Sequence, residues 1–288
     1  MILSPVVAGL SRLPEWQFDT AALVRWIEQA LDLGITSFDH ADIYGGYTVE
    51  AAFGQALAAA RGLRQRLQLV SKCGIKLPHP SRPAHTLTSY DSSAAHVRAS
   101  VENSLRMLRT DHLDVLLLHR PDWLMDADEL ASTATDLRQQ GKVLAFGVCN
   151  HSPSQFALLH QRVPLVTNQI EFSALQLGAL SDGTLDQAQD LGLRPMVWSP
   201  LAGGRLFNGP GEAEQRVRAV LQLLGQQHGV SAATVAYAWV LRHPSRPLPI
   251  TGSRRIEALH EAVLALSLRL SAQDWYRVWQ ASTGHKVP

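Results

Sequence analysis

Cysteine is scarce in this chain. Cys73 and Cys149 are the only two among 288 residues, far apart and set beside apolar neighbours. Two such thiols make no disulfide framework, and a reducing, cytoplasmic setting is the simpler expectation. Excess charge of one sign is missing as well. Twenty-six Lys and Arg face 25 Asp and Glu, for a formal net charge of +1. That balance gives no reason to expect a nucleic acid or an anionic membrane as partner. The densest basic run, Arg61, Arg64 and Arg66, reads as a solvated helix end and loop. The start, MILSPVVAGLSRLPEW, lacks the basic opening and long apolar core of a signal peptide. No apolar run approaches the ~20 residues of a membrane span. Internal repeats, low-complexity tracts and Pro/Ser-rich linkers are absent, so residues 1–288 are expected to form a single domain.

What is present is a steady alternation. Hydrophobic residues make up 46% of the chain, enough for a substantial core. Short β-rich apolar runs recur at residues 6–10, 35–39, 67–72, 113–118, 143–148, 165–169, 194–198 and 248–251. Near-continuous hydrophobicity is what strands covered on both faces show. Between them lie helical stripes: Leu23, Ile27 and Leu31, stopped at Gly34; Val97, Val101, Leu105 and Leu108; and Leu259, Val263 and Leu266. Ser271 and Asp274 resemble a capping box that opens a last helix through Trp275 and Trp279. Eight strands alternating with helices predict a parallel α/β sheet. An open doubly wound sheet would carry G-x-G-x-x-G after its first strand. Residues 8–12 read AGLSR instead. The predicted fold is therefore a (β/α)8 TIM barrel, for which about 250 residues suffice. Its longest loop is residues 74–91, rich in Pro, His and Ser.

Polar residues close the apolar runs. Asp39 ends the second, Lys72 the third, His119 follows the fourth, Asn150 the fifth, Gln169 ends the sixth, Trp198 the seventh, and Ser253 follows the eighth. In a parallel barrel all strand C-termini converge on one rim, where barrel enzymes do their chemistry. Tyr44 lies in the loop after the second strand. A free phenol, with a pKa of ~10, is a poor acid at neutral pH. An ammonium beside it stabilises the phenolate and makes the proton easier to give. A carboxylate keeps that ammonium in place, and an imidazole can hydrogen-bond a carbonyl oxygen. Such a set suits protonation of an oxygen that becomes negative as a cofactor delivers hydride.

Together the motifs resemble the aldo-keto reductases over essentially the whole chain. They are GITSFDHADIYG at 34–45, VSKC at 70–73, DHLD at 111–114 with LLHRP at 117–121, GKV at 141–143 with GVCN at 147–150, NQIE at 168–171, WSPL at 198–201 and PITGS at 249–253, all in family order. HADIYGGY at 40–47 and GTLDQ at 183–187 resemble the bacterial YdhF-type branch. The resemblance implies a catalytic tetrad of Asp39, Tyr44, Lys72 and His119, and NADPH (NADP+) as cofactor. It implies that Asn150 and Gln169 hold the nicotinamide carboxamide and that Trp198 stacks on the ring. Ser199, Leu201 and Gly203 would line the pyrophosphate, with Arg205 close by. Ser253, Arg254 and Arg255 would meet the 2′-phosphate, and Glu261 the adenine. Two positions depart from the pattern: Cys149 replaces a frequent Ser, and Ala262 a frequent Asn.

The expected activity is reduction of aldehydes or ketones to alcohols. Trp16, Tyr47, Trp123 and Phe172 are the candidate pocket walls, pointing to apolar or aromatic carbonyls; a monomer is expected. Two other readings stand beside this one. A nicotinamide-binding, redox-sensing barrel would share the tetrad. A metal-dependent barrel hydrolase would draw on His40, Asp42, His119 and His151, but H-x-H and H-E-x-x-H do not occur and no metal is expected. Cys73, next to Lys72, reads as a buried small hydrophobe.

Overall fold

The computed structural model describes residues 3–287. Met1 and Ile2, the first residues of the segment expected to carry no leader, lie outside the described residues. Eight parallel strands close into a barrel in which each neighbours the next in sequence and the eighth meets the first. They are Val7–Gly9, Ser37–Asp39, Gln68–Cys73, Leu113–Leu118, Val143–Cys149, Leu165–Glu171, Met196–Trp198 and Leu248–Thr251. Each expected run holds one strand, with ends shifted by no more than two residues. Among the described residues, no helix is long and apolar enough to cross a membrane. The chain divides into two compact units, Met1–Asn168 with Gly252–Arg254, and Gln169–Thr251 with Arg255–Pro288.

In the first unit, the two-residue period of the strands decides which side chains face the barrel interior. On the second strand Phe38 turns outward, its ring 6.2 Å from Trp26 and 5.6 Å from Phe53. Those rings come from the helices Thr20–Asp32 and Val49–Ala59. Ser37 and Asp39 therefore share the inner face. On the third strand the Ser71 hydroxyl donates outward to Glu50 at 2.6 Å, which leaves Lys72 inside. Leu117 abuts Gly147 so closely that a Cβ there would lie 2.7 Å from Leu117 Cδ2. Leu117 is thus inner, and His119, two residues on, follows it. The surrounding helices pack just as tightly. An added Cβ at Gly54 would lie 2.0 Å from the Met107 carbonyl oxygen, so Val49–Ala59 and Ala94–Leu108 cross backbone against backbone.

In the second unit, Trp239 and Trp275 stack with centroids 4.9 Å apart. Each indole N–H donates to the other residue's carbonyl, at 3.0 and 3.1 Å, which satisfies both polar tips away from water. Phe172 tilts onto the same pair, 5.1 Å from Trp239.

Several sequence expectations change here. The stripe Leu259, Val263 and Leu266 is misplaced: Leu266 is exposed, and the buried face of Ile256–Leu264 and the turn after it is Ala258, Leu259, Ala262 and Ala265. Alanines carry little hydrophobic signal, so the larger side chains drew the stripe off the true face. Residues 74–91 are not loop throughout, because Ile75–Lys76 and Ser89–Tyr90 pair as an antiparallel hairpin. Arg64 is no solvated charge. It donates to Thr110 Oγ1, to the carbonyls of Leu67 and His112, and to Asp114 Oδ2, tying the turn before the third strand to the fourth. Ser271 caps the last helix, accepting from the Asp274 N–H while its hydroxyl donates to the Asp274 carboxylate.

Candidate active site

The strand ladder runs on past the strand ends and pins the loops that follow. The His40 N–H donates to the Val70 carbonyl, Asp42 to Lys72, and His119 to Cys73, at 2.8, 3.1 and 2.8 Å. Asp39, Lys72 and His119 are therefore set on neighbouring strands, pointing the same way. Tyr44 follows two residues after the pinned Asp42, in a turn whose Gly45 and Gly46 adopt φ of 58° and 62°. Only glycine takes that left-handed region without strain. A Cβ at Gly45 would also strike Pro14, and one at Gly46 the His79 ring.

Lys72 is the hub. Its side chain is wholly buried, and its ammonium donates to Asp39 Oδ1 and Oδ2 at 2.8 and 2.7 Å, to the His40 carbonyl at 2.8 Å and to Tyr44 Oη at 2.9 Å. The Tyr44 and His119 rings meet edge to face, centroids 5.9 Å apart. The tetrad inferred from sequence is one cluster, all of it in the first unit.

The protonation states follow from burial and from one another. Burial pulls the Lys72 pKa down, but Asp39, Tyr44 and Cys149 together raise it above its ordinary value, so Lys72 stays charged. Burial pushes the Tyr44 phenol up, Lys72 pulls it down, and the balance lies at about 12. Lys72 does ease the loss of that proton, as expected, but desolvation of the phenolate outweighs it. Burial, Lys72 and Arg120 all hold His119 well below the usual imidazole range, and it is neutral at pH 7. Its Nδ1 is buried with no hydrogen-bond partner among the described residues.

The other ionisable groups near the strand ends have separate settings. His40 is wholly buried edge-on to Phe53, and burial, then Lys72, depress its pKa to about 3. His151 shares a contact with the Cys149 carbonyl at 3.0 Å and is lowered by burial to about 4. Cys73 is wholly buried and its thiol is pushed well up by burial, as expected of an inert hydrophobe. Asn150 has a left-handed backbone, φ 56°, and its amide donates to Cys149 Sγ at 2.9 Å.

The residues assigned to cofactor contacts in the second unit are placed as follows. Gln169 is buried, its amide 3.8 Å from Met196 Sδ. Trp198 is half-buried at the end of its strand. After it, Ser199, Ala202, Gly203 and Gly204 all have positive φ, between 51° and 97°. Two of the N–H groups in this turn are already used, Ala202 donating to the Ser199 carbonyl and Gly204 to that of Leu201, at 2.8 and 3.0 Å. The sequence offered only the glycines as a signal of the turn. Ser199 and Leu201 are half-buried in this segment. Arg205 follows, paired with Glu214 at 2.5 Å. Arg255 is exposed and precedes the helix Ile256–Leu264, on which Glu261 is half-buried. In the first unit's short segment, Ser253 is half-buried and Arg254 exposed.

The four pocket-wall candidates are not brought together. Trp16 is buried against Phe18 and Trp26, and Phe172 is wholly buried on Trp239. Both belong to packed cores, because each ring has a large neighbouring ring to cover it. Trp123 is 87% exposed. Tyr47 does lie beside Tyr44's turn, its hydroxyl engaged with the backbone N–H and carbonyl of Leu77. Around it stand His79, Arg82 and His85, which sequence reasoning did not single out. Their repetition along residues 74–91 was the available signal.

The Aldo/keto reductase family model matches residues 5–282. The chain belongs to that family. It is an oxidoreductase of the aldo/keto reductase family. It is 50% identical to "Oxidoreductase YdhF" of Escherichia coli (strain K12), over 99% of this chain and 95% of that one. It is 42% identical to a "6-dehydroglucose reductase" of Agrobacterium fabrum, over 99% and 96%. A solved glycerol dehydrogenase from Gluconobacter oxydans superposes with a TM-score of 0.86 at 25% identity, covering 98% of this chain and 92% of that one. Aldo/keto reductases typically bind a nicotinamide cofactor and act on small carbonyl compounds.

Removing one partner of a buried ion pair strands the other. Lys72→Met or Asp39→Leu alone should destabilise the protein by about 3–5 kcal/mol, and the double variant by clearly less than the sum. Denaturant unfolding measures this; a single variant as stable as the wild type would contradict the pairing.

Proposed function

We propose that this chain, acting as one domain of residues 1–288, reduces aldehydes or ketones to alcohols with NADPH, and that Tyr44 gives the proton. The observation that carries this reading is the Tyr44 hydroxyl 2.9 Å from the Lys72 ammonium. A carbonyl oxygen between Tyr44 and His119 receives two hydrogen bonds, from the phenol and from the neutral imidazole. As the oxygen gains charge, the fixed donors stabilise it without reorganising. Tyr44 then transfers its proton to that oxygen, and Lys72, held by Asp39, stabilises the phenolate left behind.

The residues present fit a dinucleotide phosphate. The Arg205 side chain, exposed just after the left-handed Gly203 and Gly204, suits an anion. The exposed Arg254 and Arg255, just before a helix N-terminus, suit a second one. In this reading Ser199, Leu201 and Gly203 hold the pyrophosphate, with Arg205 steadied by Glu214 beside them. Ser253, Arg254 and Arg255 hold the 2′-phosphate, and Glu261 the adenine. Asn150 and Gln169 hold the nicotinamide carboxamide, and Trp198 covers the ring. Bound NADPH supplies the hydride. Ala262 is wholly buried, where an Asn amide would need partners of its own. The name of the Agrobacterium fabrum relative favours hydroxylated carbonyls over the aromatic ones first expected.

Tyr44→Phe should lower kcat by about 10²–10⁴, the usual effect of losing an acid–base group, with NADPH affinity kept. NADPH consumption over a panel of sugar and aromatic aldehydes measures this, and near wild-type turnover would remove the role. Arg254→Ala with Arg255→Ala should raise the NADPH Kd by about tenfold or more, as for a lost charged hydrogen bond. Binding of NADH should change little; equal losses for the two cofactors would remove the 2′-phosphate assignment.

A further inference from the structure

A second cavity, of about 600 Å³, lies behind the turn that carries Tyr44. One wall is the helix Ala94–Leu108, through His96, Ser100 and Arg106. The other is the 75–90 hairpin, through Arg82, with Asp42 and Tyr47 between them. None of the four tetrad side chains lines it.

Its polar lining is incompletely used. Asp42 is 8% exposed; its Oδ2 accepts from the Ser100 hydroxyl at 2.8 Å, while its buried Oδ1 has no partner among the described residues. His96 Nε2 is likewise buried without a partner among the described residues. Leaving such atoms unsatisfied costs about 1–3 kcal/mol each, so their persistence calls for a reason. Of the carboxylates here, Asp42 attracts Arg82 without reaching ion-pair distance. The other carboxylates nearby, Glu102 and Asp91, are taken by Lys142 and Lys76. Arg82 lies over the Tyr47 ring, 4.9 Å from its centroid, and has no ion pair among the described residues. Tight turns at His79, Arg82 and His85 hold it there.

We propose that this cavity is a second ligand site, for a small hydroxylated anion such as a hydroxy acid or a sugar phosphate. A ligand hydroxyl that reaches Asp42 Oδ1 or His96 Nε2 gives that atom the partner it lacks. Its anionic group meets the guanidinium of Arg82 and, at the rim, Arg106, in the paired-donor geometry arginine offers. The occupant bridges the hairpin to the helix. Because Tyr47 Oη holds the hairpin backbone at Leu77, it also braces the turn next to Tyr44.

Titration calorimetry on the full chain tests this, with D-gluconate and glycerol 3-phosphate as probes and acetate and glycerol as controls. At least one hydroxylated anion should bind at a single site, with both controls weaker by about tenfold or more. Which probe wins separates a carboxylate from a phosphate. Arg82→Ala and His96→Gln should each weaken binding by about tenfold or more, the loss of one charged hydrogen bond. Tyr44→Phe should leave it unchanged. No saturable binding of either probe below about 10 mM would overturn the proposal. So would binding indifferent to Arg82→Ala and His96→Gln, or binding lost in Tyr44→Phe, which would place the ligand at the catalytic cluster.

Discussion

One buried ammonium organises the ends of the first strands. An unpaired charge in the place of Lys72 would cost several kcal/mol. Its compensation takes four oxygens, all from the second strand and the loop behind it: both of Asp39, the His40 carbonyl and the Tyr44 hydroxyl. The charge therefore cannot be housed without also fixing that loop. The glycine pair at 45 and 46 lets the chain turn away at once, and the ladder bonds of His40 and Asp42 hold its root. Position and charge of the phenol are set by the same contacts.

That arrangement gives each group one protonation state. Lys72 is charged, His119 is neutral, and Tyr44 keeps its proton far above neutrality. Burial opposes all three ionisations, and only Lys72 has a carboxylate close enough to reverse the result. The cluster is thus poised to donate a proton, and the ammonium acts on the phenolate that forms rather than on the resting phenol. The same burial keeps His40 and His151 neutral, so neither adds a cation to the tetrad's surroundings.

The tetrad was legible because alternation along a strand and a common strand direction carry it. Asp39, Lys72 and His119 follow apolar runs, and parallel pairing needs no long-range information to bring such ends together. The bracing of Arg64 was not legible, since its acceptors at Thr110, His112 and Asp114 lie over forty residues away. Aromatic residues misled for a related reason. Phe172 and Trp16 stand near strand ends in sequence, yet partners supplied by distant segments or a neighbouring helix, Trp239 and Trp26, draw them into cores. The buried face of the helix Ile256–Leu264 was missed because it is mostly alanine. The turn after Trp198 depends on backbone angles at Ser199 and Ala202 that their side chains do not signal.

The most direct test of the account is the ultraviolet titration of tyrosinate in the wild-type protein against Tyr44→Phe. The chain has five tyrosines, so one phenol is a measurable share of the signal. With the Tyr44 pKa near 12, the two curves should coincide up to about pH 10, where free phenols titrate, and part by one phenol only above it. A phenol present in the wild type, missing from the variant and ionising below about pH 9 would contradict the claim that burial outweighs Lys72.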